Sequence, residues 1–213
     1  MKALQESCNL DHCTFSGASA GSLSAVFAAC NVDMRNAFQV AHRLADERKI
    51  WEGPQGLACI WGSMIEAWLK EVLPENAAEL CESRVSLSVT CVRPSLIPLK
   101  RRQVSSFKTR DDVIQACMTS VHIPFFIDGN ALRDFQGETC VDGALLFFLQ
   151  GIPWCFEENE PPAFLCYHGE DQRLMSKQWG FLETISPEAF EEMFQLGYSY
   201  VTGLAATGRL DLL

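Results

Sequence analysis

The sequence predicts an α/β protein. Three observations carry that class: a short strand at residues 13–16 that turns directly into a small-residue helix at 22–30, an apolar and polar alternation at 85–92, and strand and helix segments that interleave along the chain.

Residues 1–8 hold the helix formers Lys2, Ala3, Gln5 and Glu6 around Leu4, with no cap before them, so the chain is expected to begin inside an element. The strand at 13–16 ends in Gly17-Ala18-Ser19-Ala20-Gly21, five small residues that make a tight turn before the helix. A helix is predicted over 34–49, with Phe38, Ala41 and Ala45 on one side, until Gly53-Pro54-Gln55-Gly56 breaks it. Residues 59–72 read as helix again, because Trp61, Ile65, Trp68, Leu69 and Val72 share one face. Tryptophans at helical spacing fit core packing; a stripe dipping into a lipid interface is the other reading.

Val85, Leu87, Val89 and Cys91 alternate with Ser86, Ser88 and Thr90, which predicts a half-buried strand ended by Pro94 and Pro98. A partner strand is expected at 104–107. The basic run of Lys100, Arg101, Arg102, Lys108 and Arg110 reads as a solvated loop and strand edge, or alternatively as a contact for anionic headgroups. A short helix follows at 111–118, Pro124 and Gly129 mark turns, and Thr139-Cys140-Val141 forms a strand ending at Asp142-Gly143. Ser186 with Pro187 and Glu188 predicts the start of a last helix that runs to about residue 207.

Composition narrows the function classes. The 213 residues suit one domain spanning 1–213, and 48% hydrophobic with 21% charged residues excludes disordered and fibrous classes. A net charge of −10, from 17 basic and 27 acidic residues, excludes a nucleic-acid binder, whose affinity rests on basic density. The ten cysteines are scattered among apolar neighbours without a C-x-x-C pair, so reduced thiols are expected and a structural zinc site is not. The first residues lack an apolar leader core, and no run reaches the roughly 18 apolar residues of a spanning helix. A cytoplasmic protein, at most peripheral on membranes, is the expectation.

Gly17-Ala18-Ser19-Ala20-Gly21 fits G-x-S-x-G at a strand-to-helix junction. There a strained turn presents the serine hydroxyl, flanking glycines avoid clashes, and the Ala20 N–H with the positive end of the helix faces a developing oxyanion. A serine nucleophile needs a base. Asp142 ends a strand beside Gly143, which suits that task and equally suits an aspartate opening a turn. His168 alone among the four histidines follows Asp142, which leaves a Ser19, Asp142, His168 triad open.

Three ordered segments carry a family resemblance. They are Phe15-Ser16-Gly17-Ala18-Ser19-Ala20-Gly21-Ser22-Leu23; Ser106-Phe107-Lys108-Thr109-Arg110-Asp111-Asp112-Val113-Ile114 leading to Ser120 and Ile123-Pro124-Phe125-Phe126; and Val141-Asp142-Gly143-Ala144. In order and spacing they resemble patatin-like phospholipases of the animal type, over residues 3–155, with 156–213 as a C-terminal extension. The resemblance implies a three-layer α/β sandwich around a mostly parallel sheet. It also implies a Ser-Asp dyad without histidine: Ser19 takes the acyl group, and Asp142 activates it and later activates water. Lipid esters at a membrane or lipid-droplet surface become the expected substrate, and no cofactor is implied.

The departures from that pattern are specific. Residues 1–16 contain no glycine, whereas the family places a Gly-rich oxyanion loop, D-G-G-G-x-R-G, after its first strand. The expectation is therefore a chain lacking that strand and loop, either N-terminally incomplete or a non-catalytic lipid- or partner-binding relative. Asp142-Gly143-Ala144 stands where the family has D-G-G, and no asparagine follows in Leu145-Leu146-Phe147-Phe148. Phe125, Phe126, Ile127, Phe147, Phe148 and Leu149 are candidates to line an acyl channel, or to fill an ordinary core.

Overall fold

One long strand organises the molecule. The computed structural model describes residues 1–50, 59–93, 99–150 and 187–210. Strand β1 is Phe15–Ala18, β2 is Val85–Val92, β3 is Leu99–Val104, β4 is Arg133–Phe135 and β5 is Glu138–Val141. Their order is β1-β2-β5-β4, with β3 also paired to β2. β1 and β2 pair in parallel. The other described pairings are antiparallel, so the sheet is mixed.

The register explains the site that follows. β3 covers one edge of β2 from Leu87 to Val92. The opposite edge is shared: β1 pairs along Val85 to Ser88, and β5 along Thr90 to Val92 in the reverse direction. β1 and β5 therefore run toward each other and end opposite Ser88 and Thr90, either side of Val89.

The helices are α1 Lys2–Ser7, α2 Ala20–Ala29, α3 Met34–Glu47, α4 Trp61–Val72, α5 Ala77–Cys81, α6 Arg110–Ser120, α7 Leu145–Gln150 and α8 Pro187–Ala206. α2 and α6 pack against β2 and against each other. Val85, Leu87, Val89 and Cys91 meet Val26, Phe27, Ile114 and Cys117 in the main core. Full burial of each such Leu, Ile or Val contributes about 1.5–3 kcal/mol. α6 is fixed at its start by a capping box in which Thr109 and Asp112 each bond the other's backbone N–H. It is buried from Val113 through Ser120 apart from Gln115. A second cluster joins Ala3 of α1 to Tyr200, Val201 and Leu204 of α8.

Several expectations need correction. The partner strand is Leu99–Val104 rather than 104–107, and it includes Lys100, Arg101 and Arg102 of the basic run. Long basic side chains suit a sheet edge, and here Arg102 pairs with Glu138 while Arg110 reaches Glu75 and the carbonyls of Lys70 and Leu73. Those two arginines are therefore engaged within the fold. β2 is not half-buried: Ser88 and Thr90 are fully buried, and Ser86 and Ser88 both donate to Gln103 Oε1. Trp61 and Trp68 pack on the core, as the helical spacing predicts. Trp68 meets Phe27 edge to face at 5.0 Å and donates to the Ala37 carbonyl. Ile127 is 1% exposed within the main core, so it does not line a channel. The side chains of Phe147 and Phe148 lie outside the described residues.

Candidate active site

The turn from β1 to α2 holds Ser19 in a conformation few residues adopt, at φ 52° and ψ −131°. Such strain costs roughly 1–3 kcal/mol and persists only where the surroundings impose it. Gly17 is one of those conditions. A Cβ there would lie 2.2 Å from the Gly21 carbonyl oxygen, so no side chain fits. Buried Ala18 ends β1, and Ala20 and Gly21 open α2.

Ser19 occupies the cap position of α2, yet its side chain makes no capping bond. A serine there ordinarily accepts a backbone N–H two or three residues on. Instead Ser19 Oγ donates to Asp142 Oδ2 at 2.7 Å. Ser22 takes over the local work, donating its N–H and hydroxyl to the Ser19 carbonyl at 2.9 and 2.6 Å. Among the described residues no acceptor takes the N–H of Ala20, an exposed residue at the positive end of α2.

Asp142 is reached from the opposite side. It follows β5, and its N–H bonds the His122 carbonyl at 2.8 Å. Gly143 presses so closely on β2 that a Cβ would lie 1.9 Å from the Ser88 carbonyl oxygen. Ala144 donates its N–H to Asp142 Oδ1 at 2.8 Å, which is the turn geometry that the sequence also allowed. One aspartate makes both the turn and the serine contact. It is only 6% exposed, and burial pushes its carboxyl above the ordinary carboxylate value, opposed by the bonds from Ser19 and Ala144.

The expected residues thus converge: Ser19 lies half-buried at the surface with the Asp142 carboxylate directly behind it. The contact is direct, with no room for an imidazole between them. His168 lies outside the described residues. Ser120 was visible in the sequence only as part of a motif. In the fold its Oγ accepts the Ser19 N–H at 3.0 Å and donates to the Ser88 carbonyl at 2.7 Å. A buried serine on a helix end has no local signature of such a role. Among the described residues no three His, Cys, Asp or Glu side chains converge to hold a metal.

A family model described as patatin-like phospholipase matches residues 2–150, which include every residue of this site. The chain belongs to the patatin-like phospholipase family. Among similar proteins is 1-acylglycerol-3-phosphate O-acyltransferase Pnpla3 of Mus musculus, 32% identical over 135 residues, covering 62% of this chain and 31% of that protein. Patatin-like phospholipase domain-containing protein 4 of Homo sapiens is 28% identical over 141 residues, covering 65% of this chain and 54% of that protein. Omega-hydroxyceramide transacylase of Mus musculus is 27% identical over 130 residues, or 61% of this chain and 21% of that protein. The chain therefore spans about half or less of the length of these patatin-like relatives. No described helix is long and apolar enough to cross a membrane.

Proposed function

We propose that this patatin-like chain is a lipid acyl hydrolase in which Ser19 and Asp142 form a catalytic dyad. The observation that carries the reading is the 2.7 Å hydrogen bond from Ser19 Oγ to Asp142 Oδ2. As Oγ attacks the ester carbonyl, its proton passes to Asp142. The charge that develops on the carbonyl oxygen faces the Ala20 N–H and the start of α2. Asp142 then returns the proton to the departing alcohol, leaving an acyl group on Ser19. In the second half Asp142 takes a proton from water, which attacks the acyl-serine; the acyl–Oγ bond breaks, Asp142 returns the proton to Ser19 Oγ, and the acid is released. An alcohol in place of that water gives acyl transfer by the same steps; the names of two relatives, a transacylase and an O-acyltransferase, support testing both acceptors.

The raised carboxyl of Asp142 supports the role of base, since burial makes it a stronger proton acceptor than a solvated carboxylate. Phe125, 67% exposed, and Leu149, 63% exposed, support an apolar substrate: both lie on segments adjoining the Asp142 turn. The substrate class is a phospholipid or acylglycerol ester presented at a membrane or lipid-droplet surface.

A fluorophosphonate probe tests the dyad. It is expected to label the protein once, at Ser19, and Ser19→Ala abolishes labelling. Turnover of a glycerolipid ester in mixed micelles is expected to fall about 10²–10⁴-fold in Asp142→Asn. Full turnover in that variant refutes the dyad.

A further inference from the structure

We propose that Ser120 is the positioning residue of the Ser19–Asp142 pair, an inference that rests on reading that pair as nucleophile and base. Three hydrogen bonds meet at this one fully buried residue. Its Oγ accepts the Ser19 N–H at 3.0 Å, its hydroxyl proton goes to the Ser88 carbonyl at 2.7 Å, and its own carbonyl accepts the Gly143 N–H at 2.9 Å. Ser120 therefore holds the backbone on both sides of the reacting pair and ties both to the middle of β2.

The position requires a hydroxyl. It must donate to a carbonyl and accept from an amide in different directions, and a hydroxyl offers one proton and two lone pairs. Donation to Ser88 fixes the rotor and leaves a lone pair facing Ser19. That acceptor matters because Ser19 sits at φ 52°, a conformation held only by its surroundings. Releasing the Ser19 N–H frees the turn to relax toward ordinary dihedrals and carries Oγ away from Oδ2. The same bond assigns the donors of the site. With its own N–H turned to Ser120, Ser19 contributes none to the oxyanion, and that task falls to Ala20.

Two readouts on Ser120→Ala test the role. The first is amide hydrogen exchange by NMR, which does not depend on activity. The Ser19 amide is expected to exchange at least about tenfold faster, while the Gly143 amide, whose acceptor is a backbone carbonyl that alanine keeps, exchanges as before. The second is catalysis of a soluble short-chain ester. A fall of about 10–100-fold in kcat with KM unchanged is expected, because a small displacement of the nucleophile slows chemistry without altering binding. Ser120→Cys keeps the volume with a weaker acceptor, gives the same pattern at smaller amplitude, and decides the matter if the alanine variant does not fold. Equal acceleration of both amides, or of neither, overturns the positioning role. If Ser120→Ala gives this exchange pattern while the native protein neither turns over ester nor reacts with fluorophosphonate, the positioning role stands and the catalytic reading is refuted.

Discussion

Ala18 and Val141 end on the same edge of β2, opposite Ser88 and Thr90, having arrived from opposite directions. The residue after each is a member of the reacting pair. Two side chains 123 positions apart in sequence meet because two strands share one edge and stop short of colliding.

The first prediction concerns the cost of burying the base. The folded state raises the Asp142 carboxyl above its ordinary value of 3.8, so the folded protein holds that proton to higher pH than the unfolded chain does. Stability therefore falls as pH rises from 3.8 through the raised folded value, and the deficit is complete above it. Asp142→Asn keeps both contacts, accepting from Ala144 and donating to Ser19, without the charge. Melting curves are expected to show this inactive variant more stable than the native protein at pH 7, with the difference vanishing near pH 3.8. Equal stability at both pH values counts against a strained carboxylate.

Activity has the opposite dependence. As the proposed base, Asp142 acts only when deprotonated, so kcat/KM for a neutral ester is expected to rise with pH through a midpoint above the ordinary 3.8. His122 does not shape this limb, because only its backbone carbonyl touches Asp142. A pH profile of His122→Leu that keeps the native midpoint confirms the assignment; a displaced midpoint assigns the limb to histidine.

Glycine substitutions separate space from flexibility. Gly143→Ala drives a Cβ into the Ser88 carbonyl and is expected to cost about 1–3 kcal/mol or more, with loss of activity. Among the described residues Gly197→Ala meets no atom within 4 Å, and it replaces a helix-weakening glycine inside α8. A gain of about 0.5–1 kcal/mol, roughly 2 °C in Tm, is expected there. Thermal melts of the two variants check both directions.

His122 supplies the last prediction. Its ring is fully buried, and that burial holds its pKa below 6.5, against the pull of Asp128 at 3.9 Å. Below pH 6.5 the unfolded chain takes up this proton first, so stability falls as pH drops through the folded value. His122→Leu removes that contribution. Urea titrations at pH 7 and pH 5 are expected to show the native protein losing more stability between the two than the variant does.

Much of this site was legible because its parts are encoded locally. Gly17 and Gly21 around Ser19 announce a tight turn wherever they occur, and Asp142-Gly143 after a short strand announces another. What brings them together is not local. The single residue, Val89, that separates the ends of β1 and β5 along β2 is a matter of register, which strand alternation does not specify between distant segments. Where polarity stood for exposure, the reading failed. Ser88 and Thr90 lie on a strand buried on both faces, and the basic residues 100–102, read as loop and strand edge, belong to a partner strand that starts earlier than expected, at Leu99. β4, three residues long, is too short to show any period.

The head-on meeting of β1 and β5 ties the Ser19–Asp142 contact, and with it the proposed reaction, to completed folding. A chain that has formed β1 and α2 but not yet docked the β4–β5 hairpin carries an ordinary serine of no special reactivity. On the proposed dyad, chemistry needs the hairpin in place along β2, so such a site is silent until the hairpin docks and silent again once it peels away.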